Sequence, residues 1–415
     1  MKILAINKFY YVKGGSDRYF FELNTLHEQA GHTVIPFAMQ HPNNRPTPYS
    51  DYFVSEVDFW NLGGVRDKLN AAGRVLYSTE ARRKLIQLIK ETKPDIAHLH
   101  IIAHQLSLSI LPVLRRFGIP IVQTLHEYKP ICPTYQLLAN DQICERCKGK
   151  QFYHATLQRC NNGSLSASLL NSAEMYLHHG LGWYDLPDRY LVPSQFMLNK
   201  LVEFGMDRKK LIHLPYCAPT IVYNPNLQRE EYGVYIGRLS TVKGIKTLLL
   251  ALAQLGEQAP PFRIIGTGPQ HKELVTLVNE LNLNVTFLGH LDKPSVISQL
   301  NRAKFSVTPS EWYENFPFSI IESMLTATPV IASNIGGLPE LVQHNQTGLL
   351  FPPKHVGQLA NCIQHLSKNK ALTRQLGQSA RQQIQGLCNP QTHYQRITEI
   401  YGQVLTAQAT PQQLP

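Results

Sequence analysis

Twice along this chain, short apolar runs alternate with amphipathic stretches, and one aperiodic segment separates the two series. The first series comprises "KILAIN", "HTVIPFAM", "DIAHLH", "IPIVQTLH", "DRYLVPS" and "KLIHLPY"; the second comprises "YGVYIG", "FRIIG", "VTFLG", "FSVTPS", "PVIAS" and "GLLF". Short apolar strands with helices between them need crossover connections, and crossovers produce a parallel sheet covered by helices on both faces. Between the series lies "CAPTIVYNPNLQREEY" (217–232), strand-poor and bearing Pro and Asn. The expected organisation is therefore α/β with two doubly wound domains. An acceptor-side domain spans 1–216, with an insertion at about 127–165; a linker spans 217–231 and a second domain 232–388. Residues 389–415 hold a last helix, "PQTHYQRITEIYGQVL", and a tail. Ligands of such sheets bind beyond the carboxyl ends of the strands, here expected in a cleft that both domains face.

The balance of residues suits an enzyme. At 415 residues, 43% hydrophobic and 17% charged, the chain can build two cores and is neither disordered nor a coiled coil. "TLLLALAQL" (247–255) is too short to span a bilayer. "MKILAINKFYYVKGG" lacks an apolar core followed by a small-residue cleavage site, so a cytoplasmic protein is expected. The net charge of +11 favours anionic partners such as nucleotides, nucleic acid or an anionic membrane surface. Basic clusters at 80–90, 114–118 and 207–211 read first as solvated helix faces.

The chemistry concentrates in a few segments. "ENFPFSIIE" (314–322) places Glu314 before a helix and Glu322 nearly two turns inside it, with Pro317 in the first turn. The helix start between them is an anion site, and the flanking carboxylates suit sugar hydroxyls on the same ligand. A capping glutamate beside a solvated one is the plainer alternative. "GRLSTVKG" (237–244) brings Arg238 and Lys243 to a strand end, as a diphosphate clamp or a solvated basic loop. "KGGS" (13–16) lets a backbone approach a phosphate or simply turns. "IGTGP" (265–269) lacks the third glycine of a dinucleotide fingerprint. No two aspartates are separated by one residue, so neutralisation of a diphosphate falls to cations and a helix terminus instead of a metal.

The cysteines are uneven. Cys132, Cys144, Cys147 and Cys160 stand in C-x11-C-x2-C-x12-C spacing. A structural zinc site and free or redox-sensitive thiols are both open readings. The histidines of "HLHIIAH" (98–104) straddle a strand end and read as core or acceptor-site residues.

Taken together, "ENFPFSIIE", "GRLSTVKG", "GGLPEL" (336–341) and "KGGS" resemble a retaining glycosyltransferase of family 4, in a branch associated with bacterial surface polysaccharides. The resemblance spans essentially the whole chain. It implies the GT-B fold, two Rossmann-like domains with the final helix crossing back onto the first. It implies that Glu314 binds hydroxyls of the donor sugar and Glu322 those of the ribose, while Arg238, Lys243 and the backbone of Phe318 and Ser319 hold the diphosphate. Gly14 and Gly15 would face the diphosphate or sugar, and His126 would touch the hexose. Gly266, Gly289, His290 and Leu291 would complete the donor site. The insertion after His126 departs from the family pattern on the acceptor side.

The function so implied is retaining, metal-independent transfer of a hexose from a nucleoside-diphosphate sugar, with UDP-glucose or a similar UDP-hexose ahead of GDP-mannose. The acceptor would be a hydroxyl of a glycan or lipid-linked oligosaccharide, reached by a cytoplasmic protein that visits the inner membrane face. No cofactor would be required, apart from the zinc candidate. A GT-B-type nucleotide-sugar epimerase is the alternative within enzymes. A basic nucleic-acid-binding protein with a zinc knuckle is the distant one, but the segment from Cys132 to Cys160 shows few basic residues: Arg146, Lys148, Lys150 and Arg159.

Overall fold

The computed structural model describes residues 1–59 and 63–409. The chain forms two compact units. The first contains Met1–Asn140, Cys144–Cys217 and the chain from Pro390; the second contains Asp141–Ile143 and Ala218–Asn389. The expected tail beyond residue 409 lies outside the described residues.

In the first unit the strands are β1 (Lys2–Ile6), β2 (Thr33–Phe37), β3 (Ile96–Leu99) and β4 (Ile121–Thr124). Two-residue strands β5 (Leu138–Ala139) and β6 (Gln142–Ile143) follow in the insertion, β6 among the residues grouped with the second unit. β7 (Arg189–Val192) and β8 (Leu211–His213) complete the sheet. The order is β2-β1-β3-β4-β7-β8, and every pairing is parallel. Leu4 lies between Ile35 and Ala97 in register. All four residues of β3 are buried, as expected for a strand with helices on both sides. The strand order changes direction between β1 and β3, which puts the "KGGS" loop and the residues after His98 at the same sheet edge.

The last helix, Pro390–Ala409, belongs to the first unit. Its fixings are polar. The Tyr401 hydroxyl lies 2.6 Å from Nδ1 of His98 on β3 and 3.3 Å from Nε2 of His27. His393 Nδ1 meets the carbonyl of Pro215 at 2.9 Å, so that nitrogen carries the proton and Nε2 accepts from the Tyr19 hydroxyl at 3.0 Å. Burial pushes the imidazoles down, to about 3 for His27 and about 4 for His393, and well below the ordinary range for His98. Each folded-state pKa lies below the unfolded value. The unfolded chain therefore takes up protons that the folded chain refuses once the pH drops below about 6.5. Stability should fall with decreasing pH from there, on the order of 1.4 kcal/mol per pH unit for each such histidine. Urea unfolding followed at stepwise lower pH should show the midpoint drop steeply; a constant midpoint would contradict this account of the docking.

The second unit holds β9 (Gly233–Ile236), β10 (Phe262–Ile265), β11 (Val285–Gly289), β12 (Phe305–Thr308), β13 (Val330–Ser333) and β14 (Gly348–Phe351). The order β11-β10-β9-β12-β13-β14 is again all parallel. Its direction reverses between β9 and β12, and the crevice at such a reversal is where doubly wound sheets take ligands. Phe262, Ile264, Phe305, Val307 and Ile331 from the strands pack with Leu248 and Leu252 of the Ile245–Leu255 helix in one core.

Candidate active site

The loops that leave β9, β10, β11, β12 and β13 all emerge at one edge of the second sheet, because every strand is parallel. They carry, respectively, Arg238 and Lys243; Gly266 and Gly268; Gly289, His290 and Leu291; Ser310 and Glu314; and Gly336 and Gly337. The two loops flanking the reversal meet directly. Lys243 Nζ bonds Glu314 Oε1 at 2.5 Å, and the Ser310 hydroxyl donates to the same oxygen at 2.7 Å. The Lys243 ammonium also sits 5.0 Å from the centre of the Trp312 ring. Burial alone would push the Glu314 carboxyl up. The Lys243 charge and the hydrogen bonds of Lys243 and Ser310 outweigh it, holding the group below the usual carboxylate range. Glu314 is thus an anion at neutral pH, and Lys243 is its counter-ion. The sequence reading assigned these two residues to different parts of a ligand and did not anticipate their pairing.

Three glycines allow this convergence. A Cβ on Gly244, at φ +67°, would lie 1.9 Å from the carbonyl oxygen of Pro309. One on Gly336, at φ +60°, would lie 2.5 Å from the carbonyl oxygen of Glu314, which accepts from the Gly337 N–H at 2.7 Å. One on Gly266, at φ +134°, would lie 1.9 Å from the carbonyl oxygen of Gly237. The resemblance of "IGTGP" to a dinucleotide fingerprint therefore has another cause: the loop packs backbone to backbone against "GRLS".

Arg238 is exposed, and among the described residues no side chain pairs with its guanidinium. The helix after Glu314 spans Phe318–Leu325. Pro317, expected in its first turn, is the N-cap, with extended ψ of 129° and no side-chain cap. Glu322 therefore lies a little over one turn inside rather than nearly two, and it is buried. Phe318 and Ser319 are the first two residues of this helix, the positions whose N–H groups an anion site at a helix start uses. Gly289 ends β11 at φ +65° with open space beside it; His290 is exposed and Leu291 half-buried.

In the first unit, Gly14 is the N-cap of the Gly15–Gln29 helix and has open space beside it. Asp17, which the sequence reading passed over, organises this turn. Its carboxylate accepts from the backbone N–H groups of Lys13 and Gly14 at 3.2 and 3.0 Å and from Asn7 Nδ2 at 2.9 Å. His126 follows β4, with Nε2 3.0 Å from His100 Nδ1 and Nδ1 2.6 Å from the Tyr216 hydroxyl. Burial lowers its pKa to about 3, so the ring is neutral at ordinary pH. Both ring nitrogens are engaged, and a sugar hydroxyl bonding to either would have to replace His100 or Tyr216. His100 and His126 line a small pocket of about 20 Å3 with Gln123, Glu127 and Lys129. A larger groove of about 600 Å3, bordered by Glu56, Asp67, Arg74 and Glu80, holds none of the sequence motifs.

Of the insertion thiols, Cys147 and Cys160 have Cys132 and Cys144 close by. Burial first, and then the neighbouring thiols, push Cys147 up to about 12 and Cys160 up to about 11. Among the described residues, however, no three His, Cys, Asp or Glu side chains stand in an arrangement that could hold a metal ion. Cys147 and Cys160 pack into the apolar cluster of the first unit.

Paired parallel sheets with cations, a carboxylate and a helix start at the reversal point define an α/β enzyme of the kind that handles phosphorylated ligands. Comparison with known proteins makes this specific. Residues 13–216 match the model of glycosyltransferase family 4, and residues 224–383 that of glycosyl transferases group 1. A glycogen synthase of Mycobacterium tuberculosis is 24% identical, over 99% of this chain and 97% of its own length. An alpha-D-kanosaminyltransferase of Streptomyces kanamyceticus is 27% identical over 37% of this chain and 42% of its own. Sucrose-phosphate synthase from Thermosynechococcus elongatus shares the fold with a TM-score of 0.71 at 23% identity, covering 98% of this chain and 99% of that one. Anabaena HepE, solved with UDP-glucose, superposes with a TM-score of 0.66 at 18% identity, covering 97% and 100%. The chain belongs to the family 4 glycosyltransferases and has their GT-B fold.

Proposed function

We propose that this glycosyltransferase moves a hexose from a nucleoside-diphosphate sugar to a hydroxyl of a glycan or lipid-linked oligosaccharide, with retention of anomeric configuration and without a metal. A UDP-hexose such as UDP-glucose is favoured over GDP-mannose, a choice supported by the HepE complex with UDP-glucose. The observation that carries the reading is the pairing of half-buried Lys243 with buried Glu314 beside the Phe318–Leu325 helix start, with the Arg238 guanidinium exposed on the same loop as Lys243.

Each group has a distinct task. Arg238 and Lys243 bind the diphosphate with the N–H groups of Phe318 and Ser319. As Lys243 shares its charge with phosphate oxygens, Glu314 accepts hydrogen bonds from sugar hydroxyls. Glu322 takes the ribose hydroxyls, and Gly289, His290 and Leu291 flank the base. The bond from the anomeric carbon to the diphosphate oxygen breaks with its electron pair on oxygen, while the acceptor oxygen forms the new bond and releases its proton. Negative charge therefore grows on the diphosphate, where the cations and the helix start stabilise the transition state more than the ground state. His126 and the pocket beside it belong to the acceptor and hexose side.

A thermal-shift panel of UDP-glucose, UDP-galactose and GDP-mannose tests the donor, since a ligand at 100 times its Kd stabilises by about 2.7 kcal/mol. Transfer should persist in chelator, and NMR of the product should show the donor's anomeric configuration. Inversion, or loss of activity restored only by divalent metal, would defeat the proposal. Among the described residues no helix is long and apolar enough to cross a membrane. A cytoplasmic protein that works at the membrane face is part of the same reading.

A further inference from the structure

The helix Leu165–Gly180, which follows the cysteines, is built inside out. Its inward face is largely polar: Ser168, Asn171, Ser172, Glu174 and His178 are buried. Each is held there. Ser172 Oγ donates to the Phe152 carbonyl at 2.9 Å, and Glu174 bonds the Lys129 ammonium at 2.6 Å. Asn171 Nδ2 donates to the Pro133 carbonyl at 3.4 Å, and His178 Nε2 lies 2.9 Å from that of Leu76. The outward face carries Leu165, Leu169, Tyr176, Leu177 and, just beyond the helix end, Leu181, between 39% and 57% exposed. At 100° per residue these positions share one arc with Ala173 and Gly180, opposite the buried set. The neighbouring Tyr153–Leu157 helix adds Tyr153 and Leu157 to the same surface; the Tyr153 N–H reaches the Tyr176 hydroxyl at 3.2 Å.

A helix in water turns its leucines inward. Here the polar residues take the inner side by hydrogen bonding, so the apolar side must be met by something apolar. Charge indicates what. From Arg146 to Ala173 the sequence contains no aspartate or glutamate, but it does contain Arg146, Lys148, Lys150 and Arg159, all exposed; of these Lys148 is paired with Glu203 at 2.8 Å. The next acidic residue, Glu174, is fully buried. Aliphatic side chains and tyrosines flanked by cations match a bilayer with anionic headgroups. Most of the face is leucine, which offers no stacking surface for bases; only Tyr153 and Tyr176 could stack, so the composition favours lipid over nucleic acid.

We propose that this face is a membrane-docking surface, lying flat in the headgroup region of an anionic bilayer. It deepens the membrane-face part of the proposed function and locates it on the Leu165–Gly180 helix that follows the insertion, rather than on the basic stretches 80–90, 114–118 or 207–211. It also accounts for an insertion on the acceptor side of a family 4 enzyme: the unit assigned to a lipid-linked acceptor would itself rest on the lipid.

Flotation with vesicles of phosphatidylcholine, with and without phosphatidylglycerol, tests this without any need for activity. The protein should float with the anionic vesicles, and less at high salt. Leu165→Gln/Leu169→Gln/Leu181→Gln should weaken that binding at least roughly tenfold. Its melting temperature and UDP-sugar binding should stay unchanged, because all three side chains point outward. Replacing Arg146, Lys148, Lys150 and Arg159 with glutamine should remove the preference for anionic over neutral vesicles. Undiminished vesicle binding by the leucine variant would overturn the proposal. So would light scattering that shows the leucine substitutions dissociating a dimer while vesicle binding persists, or binding to single-stranded DNA in place of vesicles. A failed transferase reading would appear in the donor panel and not here.

Discussion

Replacing Lys243 with alanine should lower turnover by ~10²–10³, the loss typical of one donor aimed at a developing oxyanion. The substitution has a second, separable effect. Glu314 is almost completely buried, and without Lys243 only the Ser310 hydroxyl remains of the two groups that bond its Oε1. A buried carboxylate stripped of its cation costs about 3 kcal/mol or takes up a proton. Wild-type Glu314 titrates below the unfolded value, so the stability from its pairing is present above that value and is lost as the pH falls through the folded one. In Lys243→Ala the carboxyl pKa should rise, and the acid limb of kcat/KM should move to higher pH. Lys243→Arg should restore the stability but only part of the turnover, because the guanidinium fork cannot occupy the ammonium's position between Glu314 and Trp312. Equal activity of the alanine variant and the wild type would remove Lys243 from the chemistry.

The second large effect falls on residues with no reactive group. Gly244→Ala would drive a methyl into the Pro309 carbonyl, and Gly336→Ala would drive one into the Glu314 backbone, both at positive φ. Neither obstacle is a flexible side chain that could swing away. Each variant should lose about 3 kcal/mol or more of stability in the second unit, from overpacking and backbone strain together. Gly14→Ala, with open space around its Cβ position and extended φ of −159°, should be nearly neutral in stability. Chemical denaturation of the three variants separates the cases; comparable stabilities would mean that the loops around Glu314 are not locked as described.

The strands were readable because they are buried on both sides: "ILAI" in "KILAIN" and "VIA" in "PVIAS" are wholly apolar, and the polar residues that close them mark the loops. For the same reason the motif residues on those loops could be placed at strand ends before any coordinates. The Lys243–Glu314 bond was not readable. It joins residues 71 positions apart, and each was explained locally, one by phosphate and one by hydroxyls. Pro317 misled by one residue, since proline suits either the last extended position or the first helical one. The Leu165–Gly180 helix was opaque because its apolar period is genuine but faces outward, and period alone does not say which side is core.

The docking of Pro390–Ala409 has a consequence for how the protein comes into being. Tyr401 must reach His98, a partner made 303 residues earlier. At a synthesis rate of about 5–20 residues per second, the first sheet waits roughly 15–60 s for the piece that covers His27 and His98. Throughout that interval the nascent chain must carry the first unit with its histidine-lined flank uncovered, while the whole second unit is still being translated. The second unit has all six strands of its parallel sheet, and its own core, within the continuous stretch Ala218–Asn389 and can close that sheet as it emerges. The ribosome therefore makes the first unit first, but the second unit is the one able to finish first.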